Sequence, residues 1–123
     1  MKLTLDVENT VTQRDGKMHL DPFEPENSLT MIGVLTDQDV ERHFPFDHCD
    51  VPNQQHFYEQ VQWFLDEATI LICHNAAYDL MWLWESGFKY DGPVFDTMLA
   101  EYVLQRGIKE PLSLQACAER YKL

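Results

Sequence analysis

Two carboxylates stand two residues apart in "LDVENT", Asp6 and Glu8, and a third, Asp79, stands in "HNAAYDL". On a strand, a period of two puts Asp6 and Glu8 on one face and Leu3, Leu5 and Val7 on the other. Like charges side by side repel, unless one keeps a proton or a cation lies between them. On an edge strand both would simply sit in water, and a lone Asp-x-Glu is common. Asp79 changes that weighing. It lies one to two turns into a helical segment that follows the apolar run "TILIC". If that run lies beside the first strand, three carboxylates converge. Hard oxygen ligands of this kind suit Mg²⁺ or Mn²⁺. Two such ions about 3.5–4 Å apart activate a water and stabilise the leaving oxygen of a phosphodiester.

The elements that must position these groups follow from periodicity. "KLTLDVE" alternates as a strand. "NTVTQRDGKMHL" carries the turn signal Asp15–Gly16 and reads as a hairpin. "DPFEPENS", punctuated by Pro22 and Pro25, reads as a loop, and "LTMIGVLT" as a third strand. The stretch "DQDVERHFPFDHCDVPNQQ" has no clear period and is taken as irregular. Phe57, Val61, Phe64 and Leu65 recur at helical spacing in "QQHFYEQVQWFLDEA". "TILICH" is a short apolar strand of the kind buried on both faces of a parallel sheet. "AAYDLMWLWESG" reads as a helix ending at Gly87, and "GPVF" as a strand. "DTMLAEYVLQRG" is a helix with Asp96 as N-cap and Gly107 as C-cap. "PLSLQACAERYKL" is a last helix with Ser113 near its start. The order β-β-β-α-β-α-β-α-α predicts one α/β domain over residues 1–123. Its mixed sheet has three antiparallel strands, then two parallel ones, and is flanked by helices.

Bulk properties narrow the function classes. The chain has 123 residues, 45% of them apolar, enough for one core. No apolar run spans a membrane, and Asp6 and Glu8 interrupt what could have been a signal peptide. Three widely spaced cysteines, Cys49, Cys73 and Cys117, make no disulfide framework and fit a reducing cytoplasm. The net charge is −12. A protein that holds nucleic acid by neutralising phosphates should be basic. Either this domain avoids polyanions, or its carboxylates hold divalent cations that meet the phosphates.

In "LDVENT" the chain resembles the first motif of the DEDD 3′–5′ exonucleases, and in "HNAAYDL" their second, Asn-x-x-x-Asp. "FDTMLAEYVL" followed by "LSLQACAERY" is similar to later segments in the proofreading domains of A-family DNA polymerases and in ribonuclease D. The opening "DVENT…RDGK…LDPFEP" looks closest to polymerases of T7-like phages. The resemblance implies a ribonuclease H-like fold and a proofreading 3′–5′ exonuclease that hydrolyses DNA 3′ ends with two divalent cations, Mg²⁺ or Mn²⁺. It implies that Asp6 bridges both metals, that Glu8 completes the tighter site, and that Asp79 serves the second. Asn75 and the Asn9–Thr10 backbone would contact the 3′-terminal nucleotide. Asp96 matches a position that is not a metal ligand in the family. The family's third motif, Tyr-x-x-x-Asp or its histidine variant on a later helix, has no counterpart here, since Tyr121 has no Asp four residues on. The domain is therefore expected to be C-terminally incomplete and nearly inactive alone. Expected partners are a single-stranded DNA 3′ end and a polymerase domain in cis or in trans, in the cytoplasm of a phage-infected bacterium, with no membrane.

Two rival functions are compatible with the same residues. A ribonuclease D-like RNA exonuclease would use the same carboxylates, because no reader of the 2′-hydroxyl is identifiable. A non-catalytic structural or interaction domain could retain the fold. Among smaller features, His43, His48, Cys49 and His56 match no regular zinc spacing and read as solvated loop residues. Trp63 and Trp82 are expected in the core and Trp84 on a different face. Cys73, on a buried strand without a His–Asp set, is not expected to act as a nucleophile.

Overall fold

The computed structural model describes residues 1–47 and 50–123. Its main sheet has the order β5-β4-β1-β6-β7, built from β1 (Lys2–Asn9), β4 (Leu29–Thr36), β5 (Glu41–Pro45), β6 (Ile70–Cys73) and β7 (Val94–Asp96). Strand β1 is central, antiparallel to β4 and parallel to β6, while β4–β5 is antiparallel and β6–β7 parallel. This mixed sheet with flanking helices is the architecture expected of a ribonuclease H-like fold.

The identity of one antiparallel strand differs from expectation. The segment around Asp15–Gly16 does form a hairpin, β2 (Thr12–Arg14) and β3 (Lys17–His19), with both turn residues at positive φ, 55° and 74°. Paired left-handed residues match the strand twist of a two-residue hairpin. The hairpin stands apart as its own two-stranded sheet. The third antiparallel strand is β5, inside the stretch read as irregular. Only Phe44 of its five residues is buried, so an edge strand hid behind polar side chains.

The core lies on one face of the sheet. Leu3, Leu5 and Val7 of β1 pack with Ile32, Val34 and Phe44 of the neighbouring strands. Helix α1 (Val51–Glu67) covers them with Val61, Phe64 and Leu65, and α2 (Ala76–Glu85) with Trp82 and Leu83. Helix α1 starts earlier than its apolar spacing suggested. Asp50 caps it by accepting the Asn53 amide at 2.9 Å, with Pro52 in the first turn. Trp82 is 3% exposed as expected, but Trp63 is 55% exposed, contrary to expectation. It stands edge-on to Phe64, off the sheet-facing side of α1.

Helices α3 (Thr97–Leu104) and α4 (Leu114–Arg120) follow β7. Asp96 caps α3 as expected, accepting from Met98 and Leu99, and Ser113 caps α4 by accepting from Ala116. The C-cap of α3 is Gln105, however, and not Gly107, which lies two residues farther on at positive φ. The residue α3 buries is Glu101, which accepts from Arg120 Nη2 at 3.2 Å and Tyr121 Oη at 2.8 Å and so ties α4 to α3. No helix among the described residues is long and apolar enough to cross a membrane.

Candidate active site

Strand β1 pairs with β6 through Lys2–Thr4 and then runs on to Asn9. Strand β6 ends at Cys73, and Asn75, with φ 66°, turns the chain into α2. Asparagine is one of the few residues that tolerate this left-handed conformation. Beyond the turn, Asp79 takes the place beside β1 that β6 has left. Its Oδ1 accepts the Val7 amide at 3.2 Å, and its side chain is buried. The site therefore forms at the carboxyl ends of the parallel strands, where open α/β sheets commonly place their ligand sites.

Asp79 and Glu8 each feel the charge of Asp6. Burial, and then the charge of Asp6, push the Asp79 carboxyl up to about 7; the Val7 amide and the Cys73 thiol oppose this, and Asp96 adds to it. Glu8 is also raised, by burial first, then by the charge of Asp6 and a hydrogen bond shared with it. Asp6 and Glu8 stand on the exposed face of β1, opposite Leu3, Leu5 and Val7, as the alternation predicted. The donor set is all hard oxygen, and a cation among these groups would reverse both upward shifts, so the chemistry fits Mg²⁺ or Mn²⁺. The geometry is looser than that chemistry. Among the described residues, no three His, Cys, Asp or Glu side chains stand close enough together to hold an ion.

Of the expected substrate-contact residues, Asn75 follows the end of β6, and Asn9 and Thr10 lie at the end of β1. Asn75 is exposed and its side chain makes no capping bond. Asn9 is spent on the fold: its Nδ2 donates to the Thr10 and Leu20 carbonyls, and its Oδ1 lies 2.5 Å from the Tyr78 hydroxyl. Thr10 pairs with Ser28, its amide donating at 2.9 Å and its hydroxyl accepting at 2.8 Å.

Three residues near the site were not singled out as parts of it. Tyr78 reaches Asn9 and the Leu20 carbonyl from α2. His74 bridges Thr97 Oγ1, at 2.9 Å, and the Leu112 carbonyl, at 2.7 Å, joining the end of β6 to the segment before α4. Asp96 accepts the Asn75 and Ala76 amides at 3.0 and 2.9 Å, besides those of its own helix. Only the cap on α3 was visible in sequence, because the partners on α2 lie 20 and 21 residues away.

The remaining candidates are placed as follows among the described residues. Cys73 is buried, and burial followed by the Asp79 charge drives its thiol well up, which fits the absence of a nucleophile role. His43 pairs with Glu41 at 2.8 Å on exposed β5, and His56 lies on α1 against Phe57. His48 and Cys49 lie outside the described residues. Trp84 is exposed and donates to the Tyr90 carbonyl.

Comparison with known families gives a match. A family model described as 3′–5′ exonuclease, the exonuclease domain of the A-family DNA polymerases, matches residues 17–122. The match takes in Asn75, Asp79 and Asp96 and starts after the strand that carries Asp6 and Glu8. No curated protein matches the chain. With most of its length matched, the chain belongs to the 3′–5′ exonuclease domain family of the A-type DNA polymerases.

Proposed function

We propose that the chain carries the metal site of a proofreading 3′–5′ exonuclease, with Asp6, Glu8 and Asp79 as ligands of two Mg²⁺ or Mn²⁺ ions and a single-stranded DNA 3′ end as substrate. The observation that carries this reading is the buried Asp79, raised by its burial and by Asp6, in a chain of the exonuclease family. Such ions, when bound, supply charge against the phosphate and lower the pKa of a water. The chain's own residues prepare for this. The Val7 amide fixes one oxygen of Asp79. The central strand fixes the backbone of Asp6 and Glu8, and their exposed side chains would have to turn toward Asp79 to complete the ligand set. The exposed Asn75 side chain, which makes no capping bond, would contact the terminal nucleotide beside the Asn9–Thr10 backbone. A polymerase domain, in cis or in trans, is the partner this reading implies.

The test is thermal melting with and without millimolar Mn²⁺, beside Asp6→Ala and Asp79→Ala. A ligand that binds only the native state raises the melting temperature. A rise lost in both variants supports the three-carboxylate site. A rise that survives them, or no rise at all, moves the structural reading ahead. Degradation of matched DNA and RNA single strands in the presence of Mn²⁺ would separate proofreading from a ribonuclease D-like activity.

A further inference from the structure

One carboxylate near the site has more amide partners than a helix cap needs. Asp96 Oδ1 accepts the Met98 and Leu99 amides at 2.9 and 3.3 Å, an ordinary N-cap for α3. The same Oδ1 accepts the Asn75 amide at 3.0 Å, and Oδ2 accepts the Ala76 amide at 2.9 Å. These two amides belong to the first turn of α2, the helix that carries Asp79. One side chain therefore holds the starts of two helices at once. It does so from the end of β7, level with the end of β6, since Cys73 and Asp96 are paired across the sheet. Ala76 begins the helical turn that ends at Asp79, and Asn75 is the left-handed residue that sets the helix's direction.

We propose that Asp96 is the positioning residue of the site: by clamping the Asn75–Ala76 turn it sets the start and direction of α2, and so places Asp79 against Val7. What is being positioned rests on the exonuclease reading above; that a clamp exists and governs α2 does not. The geometry leaves no simpler holder for this turn. The Asn75 side chain makes no capping bond, so the first amides of α2 take their acceptor from Asp96. The ionised form is the one that can serve four donors. Burial alone would raise the Asp96 carboxyl, but the amides of Ala76, Asn75, Leu99 and Met98 together hold it below the usual carboxylate range. His74, bound to Thr97 and to the Leu112 carbonyl, braces the same corner from its other side.

The two roles of Asp96 separate by side-chain length. Serine is a good N-cap but is too short to reach the α2 turn as well. Asp96→Ser should therefore keep α3 and release α2. In the full chain, amide exchange at Met98 and Leu99 should stay near native. Protection at Asn75, Ala76 and Val7 should fall by about tenfold or more. Mn²⁺ affinity, measured by paramagnetic resonance far below the melting point, should fall by roughly 10–100-fold, the usual effect of removing a group that orients a metal ligand. Ser113→Ala, which unseats the α4 cap, is the control for general destabilisation and should leave Mn²⁺ affinity unchanged. If Asp96→Ser retains native protection at Asn75, Ala76 and Val7, the proposal is overturned. It is also overturned if Ser113→Ala lowers Mn²⁺ affinity as much. Asp96→Asn, which keeps one acceptor oxygen but turns an amide group toward a backbone N–H, carries the same readouts if the serine variant does not fold. A native chain that binds no Mn²⁺ defeats the metal reading, and the clamp is then judged by amide exchange alone.

Discussion

The Asp79 carboxylate accepts the Val7 amide at 3.2 Å, joining residues 72 apart in the chain. Strand β1 pairs with β6 only through Lys2–Thr4, so farther along β1 a side chain from a helix satisfies a strand amide. A buried backbone donor left unpaired is costly, and Asp79 removes that cost while bringing a charge next to Asp6. The bond therefore belongs to the fold and to the site together.

That dual role gives a pH signature. The Asp79 carboxyl is raised from 3.8 to about 7. Between these values the native state keeps a proton that the unfolded state has lost. Stability should thus fall as pH rises from about 4 to about 7 and level off above. At about 1.4 kcal/mol per unit, the full effect is on the order of a few kcal/mol. Asp79→Asn should flatten the profile and be more stable than the native chain at alkaline pH in metal-free buffer. Urea titrations at both ends of the range decide it, and a native chain equally stable at both would contradict the electrostatic account.

The two tryptophans expected in the core should behave unlike each other. Trp82 is buried and its Nε1 donates to the Leu20 carbonyl at 3.2 Å. Trp82→Phe should cost about 1–2 kcal/mol, for the lost bond and the smaller ring. The cost stays moderate because Tyr78 and Asn9 still serve Leu20. Trp63→Ala, at an exposed position, should cost less than half as much. Equal midpoint shifts in urea would mean that Trp63 packs more than its exposure indicates.

Glu101 predicts a local effect. It is the buried residue of α3 and accepts from both Arg120 and Tyr121. Glu101→Gln weakens the charged contact to Arg120, at a cost of about 1–3 kcal/mol. Hydrogen exchange should quicken first across residues 114–120, with β1 and β6 unaffected. Uniform quickening throughout the domain would show that α4 is not held mainly by this contact.

Cys73 should be inert in the native state. Its thiol is buried and driven well above its ordinary range by burial and by Asp79. A thiolate-directed reagent at neutral pH, followed by peptide mapping, should label it only after unfolding. Rapid native labelling would show that β6 opens readily beside the site.

Much of this arrangement is legible without a structure. The alternation in "KLTLDVE" separates Leu3, Leu5 and Val7 from Asp6 and Glu8 because successive strand residues face opposite ways. Asp15–Gly16, Asp96 and Ser113 announce a turn and two caps because their chemistry acts on near neighbours in the chain. By itself, then, the sequence determined most of the local elements, the acidic face of β1 and the family motifs. Periodicity states which residues share a face, however, and not what covers that face. Tertiary packing decided that Trp63 is exposed, that the polar stretch of Glu41–Pro45 is an edge strand, and that the hairpin stands apart from the main sheet. It also decided that β6 stops short of β1, that Asp79 fills the gap, and that Asp96 caps two helices rather than one. These outcomes depend on contacts between residues 20 to 72 positions apart, and only the closed chain specifies which of them meet.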